Sequence, residues 1–123
     1  QYRHAVGETI LEIPGGFIDE GENMEKAIAR ELQEETGYEF TKFDYLGKIA
    51  ANPGLLDNYT HLFLARGGKK TGVQQLDHNE DIEAITIPLE EMRRMLLQNE
   101  IKQSLHMACV FYAFQKLDEE KGK

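Results

Sequence analysis

One predicted helix, at about residues 24–36, constrains this chain more than any other segment. Asn23 stands before it as a plausible N-cap, and Glu25 is an acidic residue in its first turn. Gly37 occupies the position of a C-cap glycine. Because both ends are marked, the direction of each side chain follows from the roughly 100° between consecutive residues.

Two glutamates fall inside the apolar stripe of this helix. The apolar side chains cover an arc of about 140°, and they belong to Met24, Ala27, Ile28 and Leu32. Glu31 and Glu35 project within that arc, whereas a solvated acidic surface would place them opposite it. Glu34 lies at the edge of the arc. The pattern therefore favours carboxylates that are turned inward over a helix end that is merely acidic.

An inward pair of carboxylates needs a positive charge nearby. Carboxylates four residues apart on a helix repel each other even when they are exposed, and burial strengthens the repulsion. No histidine or cysteine accompanies Glu31 and Glu35 along the helix. A hard divalent cation with oxygen ligands, Mg²⁺ or Mn²⁺, is therefore favoured over Zn²⁺.

The length of the chain limits the number of domains, and its net charge limits the kinds of molecule that it can bind. A chain of 123 residues predicts one domain. The net charge of −8 opposes binding to nucleic acid or to an anionic membrane through a broad basic face. No apolar run approaches the roughly 20 residues that span a bilayer, and no secretory signal is recognisable, so a cytoplasmic location is expected. Cys109 is the only cysteine, and its apolar neighbours predict a buried thiol.

The rest of the pattern predicts alternating strands and helices. Strands are expected at 1–6, 9–13, 43–50, 60–65 and 82–87, and further helices at 89–97 and 103–117. Gly7 and Glu8 form the predicted turn between the first two strands, and the Pro14-Gly15-Gly16 sequence ends the second. This order predicts an α/β or α+β sandwich.

The segment from Gly16 to Tyr38 resembles the Nudix box, G-x5-E-x7-R-E-U-x-E-E-x-G-U. Gly16 is followed after five residues by Glu22, and after seven more by the run RELQEETGY that starts at Arg30. Every charged and glycine position of the box is matched at the right spacing. Tyr38 is the one departure, because a bulky aliphatic residue is usual there.

Other segments resemble one branch of the Nudix superfamily, the ADP-ribose pyrophosphatases and related nucleotide-sugar hydrolases. The matching segments are Gln1-Tyr2-Arg3, LEIPGG at 11–16, Asn52-Pro53-Gly54, HLFLAR at 61–66, EDIE at 80–83 and EIK at 100–102. Gly15 replaces the alanine that is usual in this branch. The resemblance implies a single Nudix domain over 1–123 with an α/β/α sandwich and a mixed sheet. It also implies a homodimer, and we expect a further segment upstream of Gln1.

The resemblance assigns metal ligands to the glutamate helix. It implies that Glu31 and Glu35 are the principal ligands of Mg²⁺, or alternatively Mn²⁺. Glu34 would be a further ligand or would act through a water molecule, and the carbonyl of Gly15 would face a metal. Arg30 would orient the glutamates through a charge-assisted hydrogen bond, and Glu22 would steady the preceding loop or contribute an outer-shell water.

The resemblance also suggests a general base and a substrate contact. The base in this branch tends to be a glutamate in a mobile loop, and Glu80 is the first candidate, with Glu83 the second. The alternative is that residues 77–81 are simply a solvated loop. Arg3 is a candidate contact to the phosphate or ribose of the substrate, the alternative being an ordinary arginine on an edge strand.

The function implied is the Mg²⁺-dependent hydrolysis of a nucleoside diphosphate linked to another group. ADP-ribose, which would be split to AMP and ribose 5-phosphate, is the first candidate substrate. Another nucleotide sugar, such as GDP-mannose, is a close alternative, since the substrate would be selected by the expected upstream segment and by the loop 51–59, and the sequence discriminates poorly between the two substrates. A second class of function is a non-catalytic Nudix module that binds a nucleotide. The intact glutamates argue against it, because a pure binder has no need of a repulsive cluster.

Overall fold

The computed structural model describes residues 1–122, which contain six strands and three helices. The strands are β1 (Tyr2–Arg3), β2 (Glu8–Thr9), β3 (Tyr38–Glu39), β4 (Lys42–Ile49), β5 (Thr60–Arg66) and β6 (Lys69–Lys70). The helices are α1 (Met24–Thr36), α2 (Leu89–Leu97) and α3 (Ser104–Lys121). The strands pair as β1 with β2, β3 with β6 and β4 with β5, and the first two pairs are antiparallel.

The chain divides into two compact units. The first comprises Gln1–Phe43 and Ala65–Ile85, and the second comprises Asp44–Leu64 together with the chain from Thr86 onward. In the first unit, α1 buries Ala27 and Leu32. In the second, the core is built from β5, α3 and the residue that leads into α3, and its buried members are Leu62, Ile101, Cys109, Val110 and Phe114. The buried Cys109 thiol confirms the sequence prediction.

The ends of α1 are fixed by the two capping residues that the sequence predicts. The Asn23 side chain accepts a hydrogen bond from the Lys26 N–H at 2.8 Å. At the other end Gly37 is left-handed, with φ 76°, and its N–H donates to the Gln33 carbonyl at 2.8 Å. The helix therefore has the predicted bounds.

The first two predicted strands are wrong in extent. Pairing is limited to Tyr2 with Thr9 and Arg3 with Glu8, and residues 4–7 form the turn. One further pair of hydrogen bonds links Gln1 and Ile10. Alternation of apolar and polar residues predicts which side chains share a face, but a strand also needs a neighbouring backbone at the correct register.

The predicted strand at 82–87 is also wrong, since these residues have no regular secondary structure. The carbonyl of Ile82 instead accepts a hydrogen bond from the Gln74 side chain. Conversely, the sequence did not predict β3 and β6, which pair Tyr38 with Lys70 and Glu39 with Lys69. Two-residue strands carry too little periodicity to be recognised.

The two later helices agree well with prediction. α2 has the predicted bounds, whereas α3 begins at Ser104 and continues to Lys121, past the predicted end at 117. The extra turn is polar and is held in part by Arg93 of α2, which pairs with both carboxylate oxygens of Asp118 at 2.8 and 3.1 Å. Within residues 1–122, no helix combines the length and apolar character needed to cross a bilayer.

Gly37 is a position where only glycine fits. Its φ of 76° is disfavoured for other residues, and a Cβ there would lie 2.5 Å from the carbonyl oxygen of Gly72. Thr71 N–H and Gly72 N–H both donate to the Gly37 carbonyl, at 3.0 and 3.3 Å, so the two backbones are already in close contact.

We expect Gly37→Ala to lower the free energy of unfolding by about 2–3 kcal/mol, the sum of the left-handed backbone cost and the overlap with Gly72. Gly21→Ala is the matched control, because Gly21 has φ 77° but a Cβ there meets nothing within 4 Å. It should lose only about 1 kcal/mol. Urea unfolding measures the free energy of unfolding of both variants. Equal losses in the two would show that the close approach of Gly72 to Gly37 is unimportant for stability.

Candidate active site

Arg30 donates hydrogen bonds to carboxylates of α1 and of the loop before it. Its Nε and Nη2 donate to the two oxygens of Glu22 at 3.0 and 3.1 Å. Its Nη1 donates to Glu31 Oε1 at 3.0 Å and to Glu34 Oε2 at 3.3 Å. The remaining hydrogen bond, at 3.1 Å, goes to the carbonyl of Phe17. One guanidinium thus joins the loop 17–22 to two glutamates of the helix, as its five donors permit.

Glu35 is the one buried charged residue among residues 1–122, with 8% of its surface exposed. The Gly15 N–H donates to Glu35 Oε2 at 3.0 Å. Burial raises the pKa of Glu35 to about 7, although the Gly15 hydrogen bond acts in the opposite direction. The charges of Glu31 and Glu80 raise this pKa further, and that of Arg3 lowers it.

Glu31 is turned toward the same backbone segment. Its side chain is 15% exposed, and burial raises its pKa against the lowering effect of Arg30. A Cβ on Gly16 would overlap the Glu31 carboxyl carbon and would lie 2.6 Å from Oε2. The carboxylate therefore occupies the space that the missing side chain of Gly16 leaves. Glu31 and Glu35 both point inward, in agreement with the helical periodicity.

Arg3 and Glu12 form a second charged pair in the first unit. Arg3 Nε lies 2.5 Å from Glu12 Oε2, and Arg3 Nη2 lies 2.9 Å from Glu12 Oε1. The Glu12 side chain is only 10% exposed, whereas half of the Arg3 side chain remains accessible. Sequence reasoning selected Arg3 and missed Glu12. The pairing depends on the turn at residues 4–7, so spacing alone did not reveal it.

Glu80 lies close enough to the helix for its charge to raise the pKa of both Glu31 and Glu35. Its Oε1 accepts a hydrogen bond from the Asp77 N–H at 2.9 Å. Glu80 is half-buried, whereas the other candidate base, Glu83, is exposed. Of the two, the structure brings Glu80 toward the carboxylate pair.

The donor set suits a hard divalent cation, but the side chains are not gathered as ligands. Within the described residues, no three histidine, cysteine, aspartate or glutamate side chains are grouped closely enough to hold one metal ion. Arg30 holds Glu31 and Glu34, while the Gly15 N–H holds Glu35. The chemistry fits, because the oxygens are hard donors and Glu35 is a buried carboxylate whose ionised form lacks a full counter-charge. Binding would require these side chains to rotate away from their present partners.

Comparison with known proteins identifies the family. The sequence-family model of the NUDIX domain matches residues 1–108. The chain belongs to the Nudix family. The Nudix assignment made from the glutamate helix is therefore confirmed, and the segment from Gly16 to Tyr38 lies inside the matched region.

Three curated relatives match most of the chain. It is 35% identical over 113 residues to the methanol dehydrogenase activator of Bacillus methanolicus, covering 91% of this chain and 61% of that protein. It is 33% identical over 118 residues to the ADP-ribose pyrophosphatase of Bacillus subtilis, covering 95% and 62%. For the ADP-ribose pyrophosphatase of Mycobacterium tuberculosis the identity is 34% over 112 residues, covering 89% and 54%. The chain thus spans between 54% and 62% of the length of these relatives.

A solved structure confirms the fold class. The crystal structure of an ADP compounds hydrolase superimposes with a TM-score of 0.86 at 22% sequence identity, covering 98% of this chain and 64% of that one. The chain therefore has the mixed α/β Nudix fold that its sequence resemblance implies. Within residues 1–122 the strands form three separate two-stranded pairings.

Proposed function

We propose that this Nudix chain hydrolyses the diphosphate bond of a nucleoside diphosphate linked to another group. The proposed preferred substrate is ADP-ribose. The observation that carries the proposal is the inward-turned pair Glu31 and Glu35, which lies against Gly15 and Gly16 and beside Arg30. Two of the relatives bear the name ADP-ribose pyrophosphatase, and a mouse relative at 30% identity is an ADP-sugar pyrophosphatase. These names support an ADP-linked sugar as the substrate class.

We propose Mg²⁺, with Mn²⁺ as the alternative, as the cofactor that the carboxylates hold. Glu31 and Glu35 would be its principal ligands, with Glu34 and the Gly15 carbonyl as further ligands. When bound, the ion neutralises the charge of the diphosphate and lowers the pKa of a water molecule. The buried position of Glu35 supports this assignment, because a cation removes the cost of ionising that carboxylate.

The remaining residues of the site would then act on the water and the substrate. Glu80 takes a proton from the attacking water as its oxygen bonds to phosphorus and the bridging P–O bond breaks. Two phosphate monoesters, AMP and ribose 5-phosphate, leave the site. Arg30 keeps Glu31 and Glu34 in place through its hydrogen bonds, and the exposed part of Arg3 contacts a phosphate or ribose of the substrate.

The charge of the chain supports a small-molecule partner. The net charge of −8 opposes binding of nucleic acid through a broad basic face, and this favours a small nucleotide derivative as the partner. The proposed assembly is a homodimer in the cytoplasm, and sedimentation of the purified protein measures the oligomeric state.

Turnover of a panel of nucleotide sugars tests the proposed function. The purified protein is incubated with ADP-ribose, other ADP-sugars and GDP-mannose in the presence of Mg²⁺, and a coupled phosphatase releases inorganic phosphate from the products. We expect phosphate release to be fastest with ADP-ribose and to stop when Mg²⁺ is left out of the reaction.

Each other outcome of the panel contradicts a definite part of the proposal. Faster hydrolysis of GDP-mannose would replace ADP-ribose as the substrate while keeping the chemistry. Nucleotide binding without turnover of any compound would favour a non-catalytic module and reject hydrolysis.

A further inference from the structure

The segment that follows β6 lies along the last turn of α1. The final carbonyl groups of a helix have no partner inside the helix and must be satisfied elsewhere. Here the Gln75 N–H donates to the Glu34 carbonyl at 2.7 Å, close to where Thr71 and Gly72 bind the Gly37 carbonyl. The backbone at 71–75 is therefore attached to the end of the helix that carries the glutamates.

The side chain of Gln74 extends this attachment to a second segment. Its Nε2 donates to the Glu35 carbonyl at 2.6 Å and to the Ile82 carbonyl at 3.0 Å. Both neighbours are acceptors, so the amide must present its NH₂ group, and both hydrogens of that group are used. Gln74 is half-buried, which makes the loss of either hydrogen bond costly.

The two acceptor carbonyl groups belong to segments that carry proposed site residues. Glu35 is a proposed metal ligand, and Ile82 comes two residues after Glu80. Glu80 itself belongs to a small turn, because its N–H donates to the Asp77 carbonyl and its carboxylate accepts from the Asp77 N–H, each at 2.9 Å. The amide of Gln74 therefore closes the loop 75–81 at its base and attaches it to α1.

We propose that Gln74 is a positioning residue that sets the distance between the Glu80 carboxylate and the carboxylate pair on α1. This role rests on the proposed function, since it makes Glu80 the group that receives the proton of the attacking water. In this role Gln74 acts through the loop, by its hydrogen bonds to the Glu35 and Ile82 carbonyl groups.

Gln74→Met tests the inference, with Gln75→Met as the matched control. Methionine keeps the length and volume of glutamine but cannot donate hydrogen bonds. The side chain of Gln75 is exposed, and its structural contact is made by its backbone N–H, so the same substitution there leaves the attachment intact. The first measurement is cleavage by an endoproteinase specific for glutamate, which reports opening of the loop at Glu80 and Glu83 without any need for activity.

In Gln74→Met we expect cleavage at these two sites to accelerate about tenfold, the effect of losing hydrogen bonds worth roughly 1.4 kcal/mol. We expect kcat for ADP-ribose to fall about tenfold, as is typical for a group that orients a site residue, with KM changed less than twofold. Gln75→Met should match the original protein in both measurements.

Cleavage of Gln74→Met at the original rate would overturn the inference, whatever the activity. If the original protein turns over no substrate, the proposed function fails, while cleavage still decides whether Gln74 holds the loop. A loss of kcat equal in both variants would also overturn it. Gln74→Asn, which keeps the amide on a shorter side chain, serves if the methionine variant does not fold, and it should show the same accelerated cleavage.

Discussion

Glu35→Gln is expected to stabilise the metal-free protein at pH 8 and to reduce turnover by at least about a hundredfold. Glutamine removes a buried negative charge but keeps an oxygen that can accept the Gly15 hydrogen bond. The gain in stability should be on the order of 3 kcal/mol, from a folded-state pKa of about 7 against 4.5 in the unfolded chain. Activity should fall because a neutral amide is a weak ligand for Mg²⁺.

The pH dependence follows from the direction of this shift. Below about pH 4.5 Glu35 is protonated in both states, so it does not affect the balance between them. Between 4.5 and about 7 the folded protein retains a proton that the unfolded chain has released, so a rise in pH favours unfolding. Metal-free protein should therefore lose stability as the pH rises from about 4.5 to about 7, and Glu35→Gln should flatten that part of the curve.

Thermal unfolding from pH 5 to 8, with and without Mg²⁺, measures these effects. Mg²⁺ should raise the Tm of the original protein at pH 8 and leave that of Glu35→Gln unchanged, since binding to the folded state alone stabilises it. Glu25→Gln makes the same chemical change on an exposed turn of the same helix and should respond to Mg²⁺ like the original protein. A Glu35→Gln variant that retains both turnover and Mg²⁺ stabilisation would reject the assignment of Glu35.

Gly16→Ala is expected to reduce kcat/KM by about a hundredfold while the free energy of unfolding changes by less than about 1 kcal/mol. The added methyl group overlaps the Glu31 carboxylate, which must move from its present place. A carboxylate at the end of a flexible side chain can rotate aside, so the backbone need not move and stability changes little. The reacting groups, in contrast, tolerate little displacement, because a shift of about 1 Å can cost two orders of magnitude in rate.

Gly72→Ala is the control for this change, because a Cβ on Gly72 meets nothing within 4 Å. It should retain full turnover. Calorimetric titration with Mg²⁺ separates the causes, since displacement of Glu31 should weaken binding of the ion in Gly16→Ala alone. Unchanged turnover in that variant would mean that the position of Glu31 against Gly16 is unimportant for the chemistry.

The glutamate helix and its family could be predicted because their signals are local. Asn23 and Gly37 mark the ends through hydrogen bonds that span three or four residues, and the angular position of Glu31 follows from helix geometry alone. The spacing from Gly16 to Tyr38 is likewise contained in one continuous segment. Such features depend little on the rest of the chain.

The errors concern contacts between distant segments. The strand expected at 82–87 did not form, and the Ile82 carbonyl binds the side chain of Gln74 instead. The alternation of apolar residues there predicted a face, but a strand also needs a partner backbone, which local sequence does not specify. Glu12 was missed for the same reason, because its contact with Arg3 depends on the turn at residues 4–7.

By itself, the sequence determined that a capped helix presents two glutamates on its apolar side, because 3.6 residues per turn leave no other direction for them. Only the tertiary structure decided what those glutamates meet. Gly15 approaches Glu35 across 20 residues of chain, and Gln74 reaches the Glu35 carbonyl across 39. Contacts over such separations follow from the packing of whole segments against each other, and this packing places the acidic pair beside Arg30 and the Glu80 loop.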